Sequence, residues 1–240
     1  TYADGTTTVM GQLRVAFVSS ATKETEVMVS TGATHSAALA EDGTLWLWGS
    51  NAEGQLGTGE KAEPGFYEYP YHLVINDANG DKVIFTAVEA GNGYTLAIDK
   101  DSHLWAWGKG YTAAPTQISD LAFDQVDSYN DRVIGLVNGG KVYTWEVTAP
   151  DQMEEVDLSN VTGTVKQVAA GAAHYMLLAD SGKVYTWGDN TYGQLGNGMS
   201  AQSSTVNTVS LNEEGTALIT TRENKNLVRA GAAAAIPTAV

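Results

Sequence analysis

Four stretches of this chain align with one another without gaps: Gly32–Gly49 (GATHSAALAEDGTLWLWG), Gly91–Gly108 (GNGYTLAIDKDSHLWAWG), Tyr129–Glu146 (YNDRVIGLVNGGKVYTWE) and Gly171–Gly188 (GAAHYMLLADSGKVYTWG). All six tryptophans fall in the second half of these stretches, at Trp46, Trp48, Trp105, Trp107, Trp145 and Trp187. Self-similarity of this kind means one small unit copied along the chain, each copy burying its apolar surface against its neighbours. Within a copy, an apolar run such as Ser36–Ala40 leads to a turn at Asp42-Gly43 and then to an alternating run such as Thr44–Trp48, the pattern of a β-hairpin. Trp46, Trp105, Tyr143 and Tyr185 share one register position, and Trp48, Trp107, Trp145 and Trp187 share another two residues on. A period of two puts both rings on one face of the strand. Burying one such ring removes roughly 150–250 Å² from water, on the order of 4–6 kcal/mol before entropy is counted. Six of them in register are therefore read as packing between repeats, ahead of a ligand-stacking platform.

The expected architecture is an all-β propeller in a single domain, 1–240, with repeat units at about 1–26 (partial), 27–86, 87–125, 126–167, 168–226 and 227–240 (partial). Asp4–Gly11 matches Asp42–Gly49 in register but lacks the tryptophans, while Val228–Gly231 opens a further copy that stops before its Trp-Gly. Five blades, closed by pairing Thr6–Met10 with the strand at Ala232–Val240, would complete a ring and remove its open sheet edges. The alternative is a fragment of a larger, seven-bladed ring, favoured by Pro237 and by the Ala232–Ala235 run in the presumed closing strand.

Two copies continue past Trp-Gly in a further shared pattern, Trp48-Gly-Ser-Asn-Ala-Glu-Gly-Gln-Leu-Gly-Thr-Gly59 and Trp187-Gly-Asp-Asn-Thr-Tyr-Gly-Gln-Leu-Gly-Asn-Gly198. In these motifs the chain resembles the regulator of chromosome condensation repeat family of β-propellers. The second copy keeps Trp107-Gly108 but loses the Gly-Gln-Leu-Gly loop, and the third has Tyr129 and Glu146 in place of glycines. The resemblance implies the fold more strongly than any activity. Members of the family include a nuclear exchange factor for a small GTPase that also docks on nucleosomes, and secreted bacterial inhibitors of β-lactamase.

Composition narrows the functions further. Against 28 acidic residues there are 13 Lys and Arg, and the formal charge of −15 disfavours nucleic acid and anionic lipid as partners. No run is long and apolar enough to insert in a membrane. The chain has no cysteine, which removes disulfides and thiolate metal sites. With its acidic, Thr/Ser/Asn-rich composition, this points to a bacterial protein that is secreted or on the cell surface, a cytoplasmic one being the alternative. The start, Thr1-Tyr2-Ala3-Asp4, is read as a mature or trimmed form.

No catalytic, cofactor-binding or metal-binding residues are assigned. His35 and His174 hold equivalent places in different copies, too far apart for one metal, and are read as hydrogen-bonding residues tying strand to turn. The Gly54–Gly59 and Gly193–Gly198 segments are turns whose glycines supply positive φ, with Gln55 and Gln194 expected to satisfy backbone groups of a neighbouring blade. Asn76–Asp81 is read as a hairpin turn rather than a calcium loop, and Glu154, Glu155 and Asp157 as a solvated edge. The candidate interaction loop is the link Glu60–His72, whose Phe66, Tyr67, Tyr69 and Tyr71 give it the aromatic composition of an interface hot spot. The competing reading is that alternate rings pack on the blade. The second long link, Met199–Asn226, is polar and points to nothing specific. The function expected is a non-enzymatic protein-interaction or scaffold module, with self-association through an unfilled strand edge as a further route. A carbohydrate-binding or enzyme propeller ranks behind it, and a GTPase exchange or chromatin factor behind that.

Overall fold

A computed structural model describes residues 28–61 and 65–209. Its sixteen strands form four antiparallel sheets of four, each a simple meander. The first sheet contains β1 (Met28–Thr31), β2 (His35–Leu39), β3 (Leu45–Ser50) and β4 (Phe66–Leu73). The second contains β5 (Phe85–Ala90), β6 (Tyr94–Asp99), β7 (Leu104–Gly108) and β8 (Thr116–Ser119). The third contains β9 (Phe123–Tyr129), β10 (Arg132–Val137), β11 (Lys141–Glu146) and β12 (Glu154–Glu155). The fourth contains β13 (Val165–Ala170), β14 (His174–Ala179), β15 (Val184–Gly188) and β16 (Ser203–Thr208). The expected pairing of Thr6–Met10 with Ala232–Val240 lies outside the described residues, as does most of the Met199–Asn226 link.

The hairpins fall where the repeat placed them, and in each sheet the two middle strands carry the apolar residues. Alternation then gives every sheet two different faces. Leu39, Leu45 and Leu47 on the front of the first sheet pack with Phe85, Val88, Trp105 and Trp107 of the second. Leu96, Leu104 and Ala106 on the front of the second meet Phe123, Val133 and Trp145 of the third. Ile134, Leu136 and Val142 on the front of the third meet Tyr175, Tyr185 and Trp187 of the fourth. The aromatic pair of each repeat thus faces back onto the preceding sheet, and the small or branched residues between the rings face forward. Trp46 and Trp48 follow the same rule and remain half-buried, because no described residue covers the back of the first sheet. Interblade packing by tryptophan therefore holds for Trp105, Trp107, Trp145 and Trp187.

The Trp-Gly glycine is required by geometry. Gly49, Gly108 and Gly188 have φ of 103°, 99° and 115°. A Cβ on Gly108 would lie 2.5 Å from the Gly93 carbonyl and 2.8 Å from the Tyr94 Cα. The third sheet has Glu146 at this place without a positive φ, and no Gly-Gln-Leu-Gly loop follows it.

Asn76–Asp81 is a hairpin turn as expected. One Asp77 oxygen accepts from the Asn79 and Asp81 N–H groups, leaving that carboxylate engaged in the turn.

Candidate interaction surface and the seams between sheets

The first sheet differs from the others at its outer edge. Phe66–Leu73 is the strand β4, which corrects the expectation of a loop. Pairing with β3 runs Leu47↔Tyr71 and then Gly49↔Tyr67, so three residues of β4 oppose one of β3 and the strand bulges at Glu68-Tyr69-Pro70. Proline lacks the N–H a ladder needs, and an outer strand with a bulge is where it is tolerated. Tyr67 and Tyr71 lean on each other, ring centroids 5.6 Å apart, and pack against the first core. Phe66 and Tyr69 stand in solvent, 51% and 65% exposed. Of the four aromatic residues singled out, two anchor the strand and two are presented.

The Gly-Gln-Leu-Gly loop holds the seam between the first two sheets. Asn51, fully buried, organises it: its side-chain carbonyl accepts from the Leu56 N–H at 2.9 Å and its amide donates to the Thr58 hydroxyl and the Glu60 carbonyl. Asn190 does the same work in the fourth sheet, accepting from Leu195 N–H at 2.9 Å. The Gln55 and Gln194 side chains accept from Glu53 N–H and Tyr192 N–H in their own loops, which corrects the expectation that they reach a neighbouring blade. What crosses the seam is the Gln55 main-chain carbonyl, which accepts from the Trp107 indole at 2.8 Å and from the Thr95 hydroxyl at 2.7 Å. Because that hydroxyl proton is committed to Gln55, the 2.8 Å contact between His35 Nε2 and Thr95 Oγ1 requires His35 to donate from Nε2. Its Nδ1 is then a bare acceptor, buried without a partner. Burial holds the imidazole pKa down to about 4, so the ring is neutral and joins the two sheets as a hydrogen-bond donor.

The first strands of successive sheets lie beside one another, clasped by side chains. Ser30 Oγ accepts from Ala90 N–H at 2.9 Å, and Asp127 Oδ2 accepts from Ala170 N–H at 2.7 Å. Gln125 pairs with both the N–H and the C=O of Val168, each at 3.1 Å, like an added rung of β-ladder. Glu89 occupies the corresponding place on β5. Ser30 of one neighbouring sheet and Ser128 of the other donate to its two oxygens at 3.3 and 3.1 Å. Burial, and then the nearby Asp127 carboxylate, push the Glu89 pKa up to about 8 against the pull of the two serines. Burial also raises Asp127. Asp99, Asp101 and His103 lie close enough to suggest a metal. The Asp99 oxygens are already taken by the Asp101 and His103 N–H groups and the Trp105 indole, which makes the cluster a turn brace.

Antiparallel four-stranded sheets in succession, each turning its aromatic pair onto the one before, define a repeat propeller. Sequence models of the regulator of chromosome condensation (RCC1) repeat match residues 28–55 and 165–194, and 42–98 and 181–208. The chain belongs to the RCC1-repeat family of β-propellers. Among curated proteins it is 30% identical over 198 residues to human HERC6, described as a probable E3 ubiquitin-protein ligase, across 70% of this chain and 19% of that one. It is 28% identical over 200 residues to the mouse E3 ubiquitin-protein ligase HERC2, across 72% and 4%. It is also 28% identical over 169 residues to the mitochondrial RCC1 domain-containing protein RUG3 of Arabidopsis thaliana, across 70% and 31%. Human WBSCR16 superimposes with a TM-score of 0.66 at 22% identity, covering 77% of this chain and 53% of that one. Prp20p of Saccharomyces cerevisiae gives 0.61 at 17% identity, covering 86% and 59%. The chain thus spans little more than half of these solved propellers and less than a third of the curated relatives.

Proposed function

We propose that this propeller is a non-enzymatic protein-interaction module that receives its partner on the outer edge of the first sheet, at Phe66 and Tyr69. The observation that carries this reading is the division of labour within β4. Tyr67 and Tyr71 fix the strand from beneath, while Phe66, by alternation with Tyr67, and Tyr69, within the bulge at Pro70, stand outward and are outside the core. Rigid, exposed aromatic rings on an ordered strand are the side chains that dominate interface energies. One relative is described in connection with proteins in two solved structures: yeast RCC1 (Prp20) is seen bound to Kap60, and the same Prp20p is described with binding properties to Gsp1p and histones. The acidic surface and the absence of cysteine support a bacterial, secreted or cell-surface setting with no nucleic acid partner. Photocrosslinking tests the site. A benzophenone side chain at the exposed position 68, between the two rings, should trap a partner in extracts of the native source, and the same probe in the double variant Phe66→Ser/Tyr69→Ser should lose capture of that protein while the variant melts like the wild type. Capture undiminished in the folded double variant would refute the proposed surface.

A further inference from the structure

Each described seam sets a tryptophan of the second register position against the sheet before it, and the three indole N–H groups are treated differently. Trp107 donates to the Gln55 carbonyl of the Gly-Gln-Leu-Gly loop. Trp145 faces a sheet without that loop and donates to the Tyr111 hydroxyl at 3.1 Å, supplied by the turn after β7. Trp187 faces the third sheet, which has neither device, and among the described residues no acceptor reaches its N–H. The missing loop leaves a groove of about 230 Å³ between the third and fourth sheets, lined by Trp187, Thr144, Glu154, Glu155, Asp157 and Thr205, among others. Trp187 is only 7% exposed, so its unpartnered donor belongs to a built wall of the groove rather than to open surface. The rim is acidic. Glu155 is engaged by Lys141 and by the Tyr143 hydroxyl, at 3.0 and 2.9 Å. Asp157 is engaged by Ser159, whose N–H donates to it at 2.9 Å, and Glu154 has no partner among the described residues.

We infer that this groove receives an extended, basic segment of the protein partner: a main-chain carbonyl takes the Trp187 indole N–H, and an arginine or lysine side chain lies between Glu154 and Asp157. The inference rests on the protein-interaction reading above but uses none of the residues of β4. Its chemistry follows from the walls. An unpartnered indole donor in the groove wall offers itself to an acceptor, two carboxylates without a cation beside them call for one, and a peptide with a basic side chain carries both groups. A neutral peptide would satisfy only the first demand.

The test is a titration of the full chain with the blocked peptide acetyl-Gly-Arg-Gly-amide, followed by the indole ¹H–¹⁵N resonances of the six tryptophans. Trp187→Phe identifies the Trp187 signal, the five others reporting that the fold is kept. The Trp187 signal is expected to shift with the arginine peptide, and roughly tenfold more weakly with the neutral citrulline analogue or in Glu154→Gln/Asp157→Asn. The Phe66→Ser/Tyr69→Ser variant should bind the peptide unchanged, so failure of the β4 surface and failure of the groove are separable. No shift at millimolar peptide, an equal response to citrulline, full binding by the Gln/Asn variant, or a shift with maltose and none with peptide would each overturn the inference.

Discussion

Replacing Glu89 by glutamine removes a carboxyl group that is shared by three sheets. In the folded chain its pKa stands near 8, against an ordinary value of 4.5, because burial and Asp127 both oppose ionisation. Between these two values the unfolded chain has lost the proton while the folded chain keeps it. Folding then takes up a proton, and stability must fall as pH rises through that window. At about 1.4 kcal/mol per pH unit the full difference approaches 5 kcal/mol. The partial access of Glu89 to the space beside the inner strands reduces it to a working figure of about 3 kcal/mol. Glutamine keeps the size, accepts from one serine and donates to the other, but cannot ionise. Urea denaturation at several pH values between 5 and 8.5 gives the answer as a difference curve, in which the titrations common to both proteins cancel. Glu89→Gln should be within about 1 kcal/mol of the wild type at pH 5 and gain on it by about 3 kcal/mol at pH 8. Parallel curves across the range would show that Glu89 ionises freely in the folded chain and would refute the reasoning.

Other perturbations address the remaining contacts. His35 works in the opposite sense: its depressed pKa of about 4 makes it a source of stability above pH 6.5 that is lost as pH falls towards 4, and the acid limb of the same denaturation series should flatten in His35→Gln. Thr95→Val leaves His35 Nε2–H and the Gln55 carbonyl each one partner short, and should cost about 1–3 kcal/mol by denaturant unfolding at pH 7. Gly108→Ala meets both a φ of 99° and the Gly93 carbonyl, and should lower the melting temperature, whereas alanine at Gly139, where no atom lies within 4 Å, should lower it less because only φ opposes it. Leu56→Ala, in the fully buried centre of the first seam, should cost about 2–5 kcal/mol by the same measurement.

The repeat made the hairpins, the shared face of the tryptophan pairs and the positive-φ glycines readable, because each recurs at a fixed offset where one copy checks another; that this face points back onto the preceding sheet was not readable. The buried asparagines Asn51 and Asn190 were equally visible, four residues before each Gln of the loop, and it is their side chains that organise the loops. What repeats did not reveal is whatever occurs once. The bulge in β4 slips the pairing by two residues around Pro70, so an eight-residue strand reads as a proline-broken loop. Glu89 has Ser30 and Asp127 as its counterparts in neighbouring copies, and its raised pKa comes from enclosure between sheets that no single repeat encodes. The groove at Trp187 follows from a loop that the third copy lacks, and its meaning depended on knowing that the loop of one copy caps the tryptophan of the next.

That offset means the copied unit in sequence and the cohesive unit in space are out of step. A sheet excised as one repeat would carry away the front of one seam and the back of another, bringing together surfaces that never met. Removing 85–119 would set the leucine front of the first sheet against Phe123 and Trp145, rings fitted to Leu104 and Ala106. A shortened or lengthened array of sheets should therefore be cut through the middle of its sheets, so that every tryptophan travels with the surface it covers.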